Sequence, residues 1–326
     1  MSGKMARVIF GLIVCTALIF TLSTSSALAA GFPARAIKVI VPYGVGGTTD
    51  MITRALAAVA PEYLNGQSLI AVIKPGAGGA IGAAFVKKEP ASGYLLINAS
   101  PGNMTAKPHS TKTGYTYRDF EPIAYIGDDP YVFCVHADSP LKTMQELIDY
   151  AKKNPGKLKY SSCGRGTMNH LMVEYFQKVT EAKLTFVPYK CFGPATTALL
   201  GKHVDLSSPG PASVTPHIAA GNLRPLAITG GRRRGNINAP TMASVGYPIP
   251  FMSWKAIFAK KGIRKGERDF LVKAFRDILQ NKSFLAMMEK LDQPVNYMGP
   301  EELGKMVADE DIRVEKLVKK LGIGIK

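Results

Sequence analysis

The chain has 326 residues, 46% of them hydrophobic and 20% charged, with a formal net charge of +17. That balance excludes disordered, collagen-like and coiled-coil chains, and at roughly 100–200 residues per domain the length predicts two domains. The charge raises nucleic acid as a partner, and the N-terminus argues against it.

The first seven residues carry Lys4 and Arg7 and no acid, Val8 begins an apolar run of about fifteen residues, and Ala27-Leu28-Ala29 follows. This pattern predicts a secretory signal peptide over 1–30, cleaved after Ala29 or Ala30. The run is short of the roughly twenty residues that span a bilayer. A lipoprotein reading through Cys15 is discounted because branched Val14 precedes it. The mature protein is therefore expected outside the cytoplasm with a charge near +15, where a basic surface steers small acids or solvates the protein rather than meeting nucleic acid. Arg232-Arg233-Arg234, between Gly231 and Gly235, reads as a solvated loop. Cys134, Cys163 and Cys191 remain, an odd count without metal spacing; packing is their default role, and a Cys163–Cys191 bridge stays open.

In chain order, 36–42 predicts a buried strand that ends at Pro42 and the turn Tyr43-Gly44-Val45-Gly46-Gly47. Thr48, Thr49 and Asp50 can cap a helix in which Ile52, Ala55, Leu56 and Val59 recur at helical spacing. A second strand is predicted at 67–73. The glycine turn Lys74-Pro75-Gly76-Ala77-Gly78-Gly79 then opens a helix over 80–87, and a third strand follows at 94–99. This alternation implies a parallel sheet. After an irregular stretch come strands at 123–126 and 131–136, a helix at 143–152 and a strand at 158–161. The turn Ser162-Cys163-Gly164-Arg165-Gly166-Thr167 leads into an amphipathic helix over 168–180, repeating the first design. Strands at 185–188, 204–207 and 223–229 alternate with helices at 193–200 and 212–219. An extended segment at 251–259 precedes two longer helices, about 265–280 and 300–320, the second reading as a solvated face of interleaved charges.

A helix N-terminus behind a glycine turn presents unpaired N–H groups and the positive end of the helix dipole. Residues 44–50 and 162–170 supply one such turn in each half, so a carboxylate between the halves could be gripped from both sides; tight turning alone is the plain alternative. Neither turn carries the Gly-Lys-Ser/Thr of a phosphate loop or the last glycine of a dinucleotide fingerprint. No Gly-x-Ser-x-Gly elbow or His-Glu-x-x-His helix occurs, and His109, His136, His170, His203 and His217 show no metal spacing. His170 either bonds a ligand or braces its loop. No cofactor is expected.

Several blocks recur in a recognisable order: Ile40-Val41-Pro42-Tyr43 through Gly46-Gly47-Thr48-Thr49-Asp50, Lys74-Pro75-Gly76-Ala77-Gly78-Gly79, Ser92-Gly93-Tyr94, Asn154-Pro155-Gly156-Lys157-Leu158, Gly164-x-Gly166 with His170-Leu171, and Val187-Pro188-Tyr189-Lys190. The set resembles the tripartite tricarboxylate transporter substrate-binding proteins, the Bug or TctC family of the bacterial periplasm, from about residue 32 onward. The resemblance implies an α/β, two-lobed Venus-flytrap fold of the periplasmic-binding-protein type, each lobe a mostly parallel sheet flanked by helices, with two crossovers. Lobe one would be 31–128 plus 251–326, and lobe two 129–250. It implies no enzyme, but a receptor that closes on a small organic carboxylate and presents it to inner-membrane transporter subunits. A sensor-kinase adaptor is the alternative, and an exported enzyme is disfavoured.

The same resemblance places a carboxylate on Tyr43, Gly44, Val45, Gly46, Gly47, Thr48 and Thr49, helped by Ser100 and Asn103. The second lobe would contribute Ser162, Cys163, Gly164, Arg165, Gly166 and Thr167, with Tyr189 and Asp205. Arg165, where the family commonly has an uncharged residue, either offers a bidentate partner for a second carboxylate or points to solvent. Asp205 would repel an acid unless it takes a hydroxyl, an amine or a water; capping a neighbouring loop is its plain alternative. Cys191 stands where a small residue is usual and could narrow the cleft.

Overall fold

Ile37–Val41 (β1) is apolar and buried at every position except Lys38, as suits a strand covered from both sides over most of its length. It pairs in parallel with Leu69–Ile73 (β2) on one side and Leu95–Ala99 (β3) on the other. The crossovers are helices Thr48–Val59 (α1) and Ala80–Lys88 (α2). This computed structural model describes residues 31–190, 192–230 and 237–324. The expected signal peptide, Cys191 with its possible bridge, and the Arg232-Arg233-Arg234 loop lie outside the described residues.

The first sheet is completed by Phe120–Pro130 (β4) and Met252–Lys260 (β10), in the order β2-β1-β3-β10-β4. The second contains Val132–His136 (β5), Lys159–Ser162 (β6), Thr185–Pro188 (β7), Leu206–Ser207 (β8) and Leu223–Ile228 (β9), ordered β7-β6-β8-β5-β9. Only Tyr131 separates β4 from β5, so the chain passes between sheets there and returns between β9 and β10. Met144–Lys153 (α3), Met168–Thr180 (α4) and Phe192–Leu200 (α5) flank the second sheet. Each sheet is parallel on one side only. β10 runs antiparallel to β3 and β4, and β5 antiparallel to β8 and β9. The expectation of mostly parallel sheets holds for the helix-connected half. The other half is built from strands that leave or re-enter the lobe and meet neighbours distant in sequence.

The irregular stretch after β3 contains a π-helical turn, Gly102–Ala106, running into the short helix Lys107–Ser110. Beyond β10, Lys265–Ile278 (α6) is followed by Lys282–Lys290 (α7), an additional helix that Asn281 caps, its Oδ1 accepting from Phe284 N at 3.0 Å. The last helix, Pro300–Leu321 (α8), does not keep to one lobe. Leu303 and Val307 pack into a core of the first sheet, whereas Val314 and Val318 join the core around Phe133 and Phe176 of the second. Assigning all of 251–326 to the first lobe therefore misses its last turns. The charges that suggested a solvated face hide a buried stripe at 303, 307, 311, 314 and 318.

Where α8 passes between the lobes, Glu310 Oε2 accepts from Thr105 Oγ1 and Trp254 Nε1, both at 2.9 Å. Burial pushes this carboxyl up to about 7 from 4.5. A raised carboxylate holds its proton more tightly folded than unfolded, so its contribution to stability is greatest below 4.5 and is lost as pH rises through about 7. Glu310→Gln removes that titration. The variant is expected to gain melting temperature over the wild type at pH 8 relative to pH 5; a gap that stays constant between the two would contradict the assignment.

Candidate functional site

Two turns of like construction face each other across the cleft. In the first, Gly47 is the N-cap of α1, and Asp50 pins the loop by accepting from Gly46 N at 3.0 Å while pairing with Arg54 at 2.9 Å. In the second, Thr167 is the N-cap of α4. Its Oγ1 donates to Gly164 O at 2.8 Å and accepts from His170 N at 3.4 Å. Gly164 adopts φ +108°, a conformation that side-chain-bearing residues rarely take. His170 is a brace: its Nδ1 accepts from Gly166 N at 3.4 Å, and its ring meets Phe186 edge-on at 4.5 Å. Burial, with Arg165 and Lys107 nearby, pushes His170 down to about 4, so at neutral pH the ring is uncharged and able to accept.

A third loop follows β3. Asn103 Oδ1 accepts from Ser100 N at 2.9 Å, and the Ser100 hydroxyl shares a 2.8 Å hydrogen bond with the Tyr43 hydroxyl. Burial raises the Tyr43 phenol above its ordinary range, so it stays protonated.

These loops enclose a cavity at the carboxyl ends of the parallel strands, where open α/β sheets bind ligands. Tyr43, Gly47, Thr48, Thr49 and Ser100 line it from the first lobe and Cys163 and Thr167 from the second. Gly44, Asn103, Ser162, Gly164 and Gly166 stand behind that lining as turn backbone and bracing. Val45, Gly46 and Tyr189 border a wider opening beside His203 and His217.

Two expected residues are elsewhere. Arg165 is exposed, its guanidinium 5.6 Å from the Phe186 ring centroid, and only its carbonyl is engaged across the cleft, accepting from Lys107 Nζ at 3.1 Å. Asp205 is exposed in a separate groove with His136 and Asp138, and its Oδ2 accepts from Lys159 N at 2.7 Å. The reason is strand polarity: Asp205 precedes β8 and braces the start of β6, whereas the cavity lies beyond the ends of these strands. Cys163 and Cys134 are both buried.

Gly102, Tyr131, Met168, Asn169, Phe192, Ser253 and Lys255 also line the cavity, although no motif or spacing singles them out. Lys255 had a legible signal, a lone charge in the otherwise apolar Trp254-Lys255-Ala256-Ile257-Phe258. Its ammonium donates to Asp129 Oδ1 at 2.7 Å, Ser253 Oγ at 2.8 Å and Ser253 O at 3.0 Å. The side chains of both ions are at most 4% exposed. Burial pushes Asp129 up, and the ammonium pulls it back toward the charged form. Asn169 Nδ2 donates to Ser208 O at 2.6 Å, while Asn169 Oδ1 and Thr48 Oγ1 are buried without a protein partner. The lining is rich in donors: first-turn amides of two helices, several hydroxyls and one ammonium. Among the described residues, no group of three or more His, Cys, Asp or Glu could hold a metal ion, and no helix is long and apolar enough to cross a membrane.

The sequence profile described as "Tripartite tricarboxylate transporter family receptor" matches residues 52–323. The chain belongs to this receptor family. Among relatives of this TctC-type receptor, Protein BugT of Bordetella pertussis is 33% identical over 300 residues, 90% of this chain and 92% of that protein. The structure of the periplasmic binding protein BugD is similar with a TM-score of 0.85 and 31% identity, covering 90% of this chain and 100% of that one. A protein of R. palustris solved with adipate has a TM-score of 0.83 and 31% identity, over 90% and 99% of the respective chains. The family and its fold are those of solute-binding receptors. The matched span of this TctC-type receptor begins inside α1, so the first glycine turn precedes it, while the second turn, Lys255 and α8 fall within it.

Proposed function

We propose that this receptor acts in the periplasm, closing on a small organic carboxylate and delivering it to a tripartite tricarboxylate-type membrane transporter. The observation that carries the reading is the convergence of two helix N-termini, those of α1 and α4, on one hydroxyl-lined cavity. Unpaired first-turn amides and the Thr48 hydroxyl can donate to carboxylate oxygens. Asn169 Oδ1, an acceptor, suits a ligand hydroxyl or a water bound with the ligand. The similar structure holding adipate supports an acid as the ligand.

Two strand connections, at Tyr131 and ahead of Met252, would serve as the hinge between a lobe of 31–128 with 251–326 and a lobe of 129–250, with the end of α8 spanning both. Only closure brings both N-termini onto one carboxylate, so the ligand binds the closed state better and shifts the population toward it.

The test is a thermal-shift screen of residues 31–326, refolded to strip carried-over ligand, against aliphatic and aromatic mono-, di- and tricarboxylates. A ligand at about 100 times its Kd adds roughly 2.7 kcal/mol of stability. At least one acid is expected to stabilise the protein; uniform failure would contradict the reading. With that acid, Thr167→Ala is expected to weaken binding about tenfold, equivalent to roughly 1.4 kcal/mol. Arg165→Ala is expected to stay within about twofold, and the reverse ranking in titration calorimetry would count against the cavity as the site.

A further inference from the structure

We propose that Lys255 is a specificity-determining residue whose ammonium receives a second carboxylate of the ligand, making the receptor selective for dicarboxylates over monocarboxylates. The inference rests on the carboxylate-receptor reading above and names the class of acid.

Lys255 and Ser253 line the cavity, whereas Asp129 does not. The ammonium therefore stands at the cavity wall with its counter-ion behind it, and the cavity faces the positive end of the pair. The two helix N-termini contribute positive potential on the same cavity. One carboxylate engages those N-termini. A ligand with a second anionic group places it against the positive end of this pair, on a side chain only 4% exposed.

Lys255 has three donors, and the protein uses all of them, on Asp129 Oδ1, Ser253 O and Ser253 Oγ. The Ser253 hydroxyl is the exchangeable partner, since it rotates about one bond and itself lines the cavity. An incoming carboxylate oxygen takes the donor that Ser253 Oγ releases, while the Ser253 hydroxyl keeps its hydrogen bond to Tyr131. Asp129 and the Ser253 carbonyl keep the ammonium in place throughout. A monocarboxylate of equal length offers Lys255 a methyl group, forgoing the charged contact and covering a polar wall with an apolar one.

This assignment also accounts for a buried ion pair in the connection between lobes. Apolar residues of similar volume are often neutral or more stable at such a place, so stability alone gives little reason for the pair.

The test is titration calorimetry of refolded residues 31–326 with matched acids, adipate against hexanoate and succinate against butyrate. For the wild type, the dicarboxylate of at least one pair is expected to bind more than tenfold tighter than its partner. In Lys255→Met/Asp129→Asn, which removes both charges and leaves neither ion orphaned, that ratio is expected to fall below threefold. Equal wild-type affinity within both pairs would overturn the proposal while leaving the receptor reading intact, and needs no variant. A double variant that keeps the wild-type ratio would also overturn it. Failure of the wild type to bind any of the four acids or any carboxylate in the wider screen would instead overturn the receptor reading.

Discussion

Replacing Asp129 with alanine is expected to destabilise the protein by about 3–5 kcal/mol, the usual cost of orphaning one member of a buried ion pair. Asp129 and Lys255 face each other across the β4–β10 ladder, where Ser253 is the register partner of Asp129, and both side chains are almost fully shielded from water. The alanine leaves an ammonium without its counter-ion on a side chain only 4% exposed. The double substitution Lys255→Met/Asp129→Asn removes the charge problem and is expected to recover most of the loss. Urea unfolding can be followed through Trp254, the single tryptophan, which lies next to Lys255 and is buried. A loss under about 1 kcal/mol for Asp129→Ala would mean that Lys255 is effectively solvated.

Gly78→Val is expected to lower carboxylate affinity at least tenfold, about 1.4 kcal/mol or more. Gly78 has φ +66°, and a Cβ there would stand 2.6 Å from Thr167 Cγ2 and 3.1 Å from Lys107 Cδ. Thr167 cannot turn aside freely, because its Oγ1 is committed to Gly164 O and His170 N. The valine is thus a wedge between the first lobe and the cap of α4, present only when the lobes meet. Left-handed backbone adds a stability cost of roughly 1–2 kcal/mol in either state. Gly66→Val separates the two effects, since Gly66 has φ +78° and nothing within 4 Å of the added Cβ. It is expected to lose similar stability and keep its affinity. Equal affinities for the two valine variants would contradict the wedge.

Local signals made much of this legible from sequence. The span of α4 follows from a threonine cap behind a glycine turn and from apolar residues at helical spacing, and the structure starts and ends it at the expected residues. The β-α-β pattern likewise announces β1, β2 and β3 as parallel neighbours. What escaped were relations between distant segments. β10 inserts between β3 and β4, and nothing local in Met252–Lys260 specifies that slot. Lys255 reaches the cavity only through that insertion. Asp205 takes the bracing role that was its alternative, and the sequence could not choose between the two because its motif says which strand it precedes but not which end of the sheet opens onto the cleft. Arg165 sits in a cavity-forming turn, yet alternate positions of a turn face opposite ways, and its side chain takes the outer face over Phe186. In α8 the surface charges are conspicuous in sequence, while the stripe through Val314 and Val318 becomes meaningful only once a second core lies within reach.

The most direct measurement is a crystal structure of refolded residues 31–326 with adipate, the acid present in a similar solved structure. One carboxylate is expected between the N-termini of α1 and α4, within hydrogen-bond reach of Thr48 and Thr167, and the other on the Lys255 ammonium. Adipate bound outside this cavity, or inside it with neither helix N-terminus engaged, would contradict that placement.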